Sequence, residues 1–442
     1  MKDMLLIYNA RLVDRDTDIK RGALLIEGNK IAGFPTKSAV KKMLSESAAR
    51  IARYDAEGRT VMPAFIDTHA HFRDPGQTLK EDMESGCRAA AAGGYGTAVL
   101  MPNTNPVISS QRSAQRNNAI ARRLGYIDVI QSVSITKDFD GETISHLETL
   151  DSKTVPLITE DGKEVTSSAV MLSAMKTAAK KNLIVACHSE DPFLASSARA
   201  LRTKALKLLR AGKKSEAIRL LRETNSLLAL AEDTATERNI RLAEEAGCRL
   251  HLCHVSTERC VRAIQESRAR GNSMLSFEVT PHHLGLSSAK KENLLHIVNP
   301  PLRTERDRTA LIQALLDGTA TCIGTDHAPH TEQDKKNGAP GFSGMETAFA
   351  VCYTTLVKEN GMSLKRLSSL LSANAAELLG LKNKGLLKEG FAADITVVST
   401  DEEWTVRGRE FASKGKYTPF EGKKLTGKIE ATFHNGKIIF QE

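Results

Sequence analysis

The rhythm of apolar and polar positions changes twice along the chain. Up to about residue 60, short β-like runs alternate with turns. Leu5–Tyr8, Ala10–Val13, Ala23–Glu27 and Lys30–Phe34 are separated by Asp/Arg clusters and by Glu27-Gly28-Asn29. From about Val61 to Lys384, strand-like and helix-like segments alternate. The β texture then returns in Ala393–Val398, Lys428–Phe433 and Lys437–Phe440. Asn435-Gly436, between the last two runs, is a strong hairpin signal. Two β-rich ends around a long middle predict that the ends share one sheet.

In the middle, the predicted strands are Ala64–Asp67, Gly96–Met101, Asp128–Ser134, Val155–Thr159, Leu183–Cys187, Arg249–Cys253, Met274–Val279 and Thr321–Thr325. Helical patterns fall between them, among them Lys80–Ala92, Ser167–Lys181, Glu232–Ala246 and Arg306–Leu316. Eight strand–helix alternations without a second Gly-rich nucleotide loop favour an α/β fold of the (β/α)8 TIM barrel type over a doubly wound sheet. The expected organisation is a barrel over 61–384 and a small β-sandwich module formed by residues 1–60 and 385–442. A basic helical insertion is expected at 189–238.

The strand ends carry the candidate chemistry. His69 and His71 follow the first strand, and period-two alternation would place them and Arg73 on one side. Two imidazoles suit a divalent metal, and a guanidinium suits an anionic substrate group. Asn103, Asp161, His188, His254, the pair His282 and His283, and Asp326 with His330 close behind follow later strands. In a barrel these ends converge on one face. A single strand-end histidine is an ordinary satisfied polar residue. Seven of eight ends with site-type residues point instead to a centre of N and O ligands able to hold two metals. Cys187 and Cys253 directly precede a histidine, so alternation turns their side chains to the opposite face.

Composition narrows the class. The 442 residues suffice for a large barrel plus a smaller module. No apolar run reaches membrane-span length, and the N-terminal apolar stretch is too short for a signal peptide. Seven cysteines without a paired framework suggest free thiols and a cytoplasmic location. The net charge of +9 is mostly local, with nine Lys or Arg between Arg199 and Arg222 against one acid, Glu216. That leaves no global nucleic-acid signature. The basic segment reads either as a solvated face of two amphipathic helices, or as a docking surface for an acidic partner or a steering field for an anionic substrate. Glu81, Asp82 and Glu84 read as helix-start charges, Gly93-Gly94 as a tight turn and Trp404 as a packing residue.

The segments His69-Ala-His-Phe-Arg-Asp-Pro-Gly76, Met101-Pro-Asn-Thr104, His188-Ser-Glu-Asp191, Cys253-His-Val-Ser-Thr257, Thr280-Pro-His-His-Leu284, Asn299-Pro-Pro-Leu-Arg303 and Gly324-Thr-Asp-His-Ala-Pro-His330 resemble the type I dihydroorotases of the amidohydrolase superfamily. The likeness runs nearly end to end and includes Ser413–Phe420. It implies two Zn2+ per chain. His69, His71 and Asp326 would hold one, and His188 and His254 the other. Asp161 would stand where some relatives carry a bridging carboxylated lysine, with Lys163 the nearby challenger. Arg73 and Asn103 match contacts to the substrate carboxylate. His71, Asn299, His330, Pro340 and Gly341 match further substrate contacts, while His282 and His283 receive no ligand role.

The implied reaction is the reversible cyclisation of N-carbamoyl-L-aspartate to L-dihydroorotate with loss of water, in pyrimidine synthesis. Asp326 would be the catalytic proton carrier. Two alternatives stay open. One is a related cyclic amidohydrolase, an allantoinase or hydantoinase. The other is a structural partner of aspartate transcarbamoylase; that partnership and a homodimer are both compatible with activity. No membrane or nucleic-acid partner is expected.

Overall fold

The computed structural model describes residues 4–45 and 51–442. Parallel strands run in chain order through Phe65–Ala70, Tyr95–Leu100 and Asp128–Gln131, then Val133–Ser134, Leu157–Thr159, Ile184–Cys187, Arg249–Leu252, Leu275–Val279 and Cys322–Ile323. Asp128–Gln131 and Val133–Ser134 are one predicted strand interrupted at Ser132. A parallel bridge between Ala70 and His327, with His71 N–H donating to His327 O at 2.8 Å, brings the two edges of the series together. The layout is α/β and TIM-barrel-like.

These strands are apolar without alternation because both faces are covered. Phe65–Ala70 and Tyr95–Leu100 are buried at every position. Their neighbouring residues divide between two cores. Ile66, Val99, Leu157, Ile184 and Cys253 share one cluster, whereas Phe65, Ala98, Leu100, Val185 and Leu252 pack with helix residues such as Met171, Met175 and Ile240. Helices restart after the strands at hydroxyl caps: Ser167, Thr257 and Thr304 each accept the backbone N–H three residues on.

The two ends of the chain form one eight-stranded sheet, as the β texture predicts. Thr60–Pro63 lies between Met4–Val13 and Ile395–Thr405, and Lys424–His434 and Lys437–Gln441 extend the C-terminal side. Asn435 and Gly436 make the hairpin turn with φ of 51° and 76°, the left-handed pair that this dipeptide adopts readily.

Three expectations need correction. Leu5–Tyr8 and Ala10–Val13 are a single strand, Met4–Val13, irregular at Asn9, whose φ is 54°. The basic segment is a pair of helices, Pro192–Arg210 and Lys214–Ala246, but the second runs unbroken past residue 238. It contains no Gly or Pro and ends only where Gly247 takes φ 61°. The helix expected from Lys80 begins at Met83, with Asp82 as its cap. Glu81 is fully buried there; Lys414 N–H donates to it at 3.2 Å, and it also meets Ser413 and His327. It ties the barrel to the C-terminal segment, a role that a surface helix-start charge could not have.

Candidate metal centre and substrate cavity

The six residues expected as ligands meet at the C-terminal ends of the parallel strands, all buried or nearly so. His69 is the penultimate residue of the first strand, and its Nε2 lies 3.3 Å from Asp161 Oδ1 and 3.6 Å from Asp326 Oδ1. His71 Nε2 is 3.1 Å from Asp326 Oδ1 and 3.5 Å from Asp161 Oδ2. His188 Nδ1 is 3.5 Å from Asp161 Oδ1 and 2.8 Å from His254 Nε2. Among these six residues, two groups have ligand atoms close enough to share an ion: His69, His71 and Asp326, and His69, Asp161 and His254. His69 Nε2 and Asp161 Oδ1 are buried and face each other without an aligned hydrogen bond. Orphaned polar atoms in such a place are costly unless something else binds them. Imidazole and carboxylate at this spacing are the donor set of zinc, so the residues fit the metal.

The electrostatics agree with that fit. Burial alone would raise the carboxyls of Asp161 and Asp326, but the surrounding histidines hold both well below the usual range. Burial pulls the His188 imidazole down, and the hydrogen bond and charge of Asp161 push it up to about 9. Protons therefore hold positions that a metal would compete for.

One buried carboxylate beneath the centre was not expected. Glu278 Oε1 lies 3.0 Å from His69 Nδ1 and accepts the His254 backbone N–H at 3.3 Å. Its other oxygen meets Thr68 and, at 3.2 Å, His251 Nε2. It fixes the ring of His69 and the backbone of His254. Its signal in the sequence was a lone acid inside the apolar strand Leu275–Val279. Cys253 also departs from expectation. Its Sγ lies within 4.8 Å of ligand atoms of His69 and Glu278, on the interior side. His254 has φ 36°, which breaks the period-two alternation there. Cys187 follows the expectation and packs in the outer core.

Beside the centre is a cavity of about 430 Å³ lined by His71, Arg73, Asn103, Asn299, His330, Pro340 and Gly341, together with Asp161, His188, His254 and Asp326. All the expected substrate contacts are therefore in one place. Arg73 reaches it by a different route from the one predicted. The first strand stops at Ala70, and Arg73 turns inward through a left-handed φ of 59°. Arg73 Nε donates to Pro329 O at 3.3 Å, and Nη2 is 3.4 Å from His330 Nε2. That nitrogen is 2.8 Å from Pro340 O, and burial with the nearby Arg73 charge lowers the imidazole to about 3, so His330 is neutral. Asn103 connects the two halves: its Oδ1 meets His71 Nδ1 at 3.0 Å, and its Nδ2 donates to Asp161 Oδ2 at 3.0 Å.

Of the two histidines given no ligand role, His282 has its Nε2 buried without a hydrogen-bond partner. His283 bonds Thr280 and Pro300 O, and His282 packs on Phe342. Trp404 packs in a cluster with Val406, Phe411 and Phe420, and its Nε1 donates to Gly427 O. Lys163, the challenger to Asp161, is exposed, its Nζ 5.8 Å from the Phe139 ring centre.

Among known proteins, the amidohydrolase family matches residues 60–439. The dihydroorotase of Clostridium botulinum is 40% identical over 441 residues, covering 99% of this chain and 100% of that one. The dihydroorotase of Bacillus cytotoxicus is 37% identical over 446 residues, covering 99% and 98%. In structure, the chain is similar to the L-hydantoinase of Arthrobacter aurescens, with a TM-score of 0.85, 24% identity and coverage of 100% and 96%. That likeness speaks for the fold alone. With this site on this fold, the chain belongs to the amidohydrolase family and, within it, to the dihydroorotases.

Proposed function

We propose that this protein is a zinc-dependent dihydroorotase that interconverts N-carbamoyl-L-aspartate and L-dihydroorotate. The observation that carries the reading is one cavity with two kinds of wall: a buried cluster of imidazoles and carboxylates, and Arg73 with Asn103 and His330. The first wall suits hydrolysis of an amide; the second suits a substrate bearing a carboxylate. A neutral hydantoin or allantoin ring has no use for the buried guanidinium of Arg73, which favours dihydroorotate over those rings.

His69, His71 and Asp326 would hold one zinc ion and His188 and His254 a second, with Asp161 between them. Bound zinc brings the pKa of a coordinated water down toward about 7 and polarises a carbonyl oxygen. The chain's own residues do the rest. Arg73 and Asn103 orient the carboxylate that does not react, through charge-assisted and neutral hydrogen bonds. Neutral His330 leaves that carboxylate its full charge. Ionised Asp326 accepts a proton from the attacking water and delivers it to the ring nitrogen as the C–N bond breaks. In ring closure it removes the ureido N–H proton and returns it to the departing oxygen. Seven unpaired, buried cysteines support a reducing, cytoplasmic setting. Among the described residues, no helix is long and apolar enough to cross a membrane.

The test is zinc per chain measured together with dihydroorotate loss in the ultraviolet, with allantoin and hydantoin as comparison substrates. About two zinc ions with selective dihydroorotate turnover is the expected result. Turnover confined to another cyclic amide would overturn the substrate assignment.

A further inference from the structure

The basic helix Pro192–Arg210 is part of the cavity wall. Arg199, Arg202, Thr203 and Leu206 line the cavity alongside the expected substrate contacts. The helix turns one face to the protein through Ala195, Ala198, Arg202 and Ala205, spaced three, four and three apart. Three positions of that face are alanine and one is arginine. Arg202 is 7% exposed, in contrast to its exposed neighbour Arg199.

Its partners are few. Arg202 Nη2 donates to Asn299 Oδ1 at 2.8 Å. Among the described residues it makes no ion pair. Glu190, the acid nearest in charge, is engaged by Arg199 at 3.6 Å and lies 4.0 Å from His188. A buried cation without a carboxylate partner is expensive in a folded protein. Arg303, the other deeply buried arginine near this helix, shows the usual solution, with Glu232 at 2.8 Å. Arg202 instead lines the cavity that substrate would fill, with its guanidinium on Asn299.

We propose that Arg202 is a specificity-determining residue that favours the more highly charged reactant, the open-chain dianion, over the ring monoanion. The proposal rests on the dihydroorotase reading. N-carbamoyl-L-aspartate carries two carboxylates and dihydroorotate one, so one added cation attracts the first about twice as strongly in free energy as the second. A cation whose removal weakens the dianion about tenfold should weaken the monoanion about threefold. The asymmetry separates a charge effect from general damage to the wall.

The experiment measures KM in both directions for the zinc-loaded wild type and for Arg202→Gln and Arg202→Lys. Gln keeps a donor for Asn299 without the charge; Lys keeps the charge. The expected result is a KM for carbamoyl-aspartate raised about tenfold in Arg202→Gln, with a dihydroorotate KM raised about threefold, and most of both recovered in Arg202→Lys. Both constants within twofold of wild type in Arg202→Gln would overturn the proposal. So would equal rises in both constants that Lys does not rescue, because those mark loss of shape. Should Arg202→Gln not fold, Glu190→Gln supplies the opposite sign: the dianion KM should fall, and a rise overturns the proposal. A wild type that converts neither reactant refutes the dihydroorotase reading, which is a separate outcome.

Discussion

Two clusters of histidine and carboxylate, the second partly exposed at Asp128, lie at opposite ends of the barrel strands. At the C-terminal end are His69, His71, His188, His254, Asp161 and Asp326. At the start of the strands, Asp128 meets Asp394 and His434 from the terminal sheet, with ligand atoms also close enough to share an ion. The second cluster already contains its cation. Lys384 Nζ is 2.9 Å from Asp128 Oδ2 and also binds Asp394, while His434 Nδ1 lies 3.0 Å from Asp394 Oδ1. Among the described residues the first has no lysine within it, and it opens onto a cavity. Ligand-type residues at ligand-type spacing are common to both. What distinguishes the two is where the compensating charge comes from.

The strongest way to break this contrast is at Asp326. Asp326→Asn should lower turnover at least about a thousandfold in both directions, while the other ligands retain much of the zinc. Near-normal rates in either direction would remove its proton role. At the opposite cluster, Lys384→Met should leave zinc content unchanged and cost about 3 kcal/mol of stability, because it strands buried Asp394. Thermal or urea unfolding measures this, and the partial exposure of Asp128 limits the loss. A drop in zinc per chain would mean that the two clusters are not independent. Glu278→Gln removes the charge beneath His69 and should weaken zinc about tenfold in chelator competition. Unchanged affinity would reduce Glu278 to packing.

The smallest effect is on pH dependence. Burial opposes the charge on Asp394, yet the His434 bond and Lys384 hold its carboxyl well below its ordinary 3.8. The folded state thus binds this proton less readily than the unfolded chain. The stabilisation is complete above about pH 4 and is lost as pH falls through the folded value. Lys384 is held above its ordinary 10.5, against burial, by Asp394 and Asp128. Its contribution is complete below that value and is lost as pH rises through the higher folded one. Asp394→Asn should flatten the acid side of a stability–pH curve measured by urea unfolding. An unchanged acid limb would place the acid sensitivity elsewhere.

The candidate ligands were legible as a group in the sequence because each stands where an apolar run ends, and a barrel sends all such ends to one face. Alternation failed where the backbone leaves the strand. Arg73, His254 and Asp326 all have left-handed φ, at 59°, 36° and 49°, and such conformations cluster at functional sites. Cys253 was placed on the wrong face for that reason. Glu81 and Glu278 were hidden because their partners, Ser413 in one case and His69 in the other, lie far away in the chain. Arg202 was hidden by its company: in a run of nine basic residues it looks like one more solvated charge. Only the alanine spacing around it marks the face it occupies.

The terminal sheet has a consequence for how the molecule is made. A ribosome releases Thr60–Pro63 and Met4–Val13 early, yet the partner of Thr60–Pro63, Ile395–Thr405, emerges only after the whole barrel has been synthesised. Until then the nascent chain presents an unpaired apolar strand edge, the kind of surface that invites pairing with another chain. Ribosomes translating this message in close succession would place several such edges side by side, so the spacing of translation, as much as the sequence, bears on the yield of native protein.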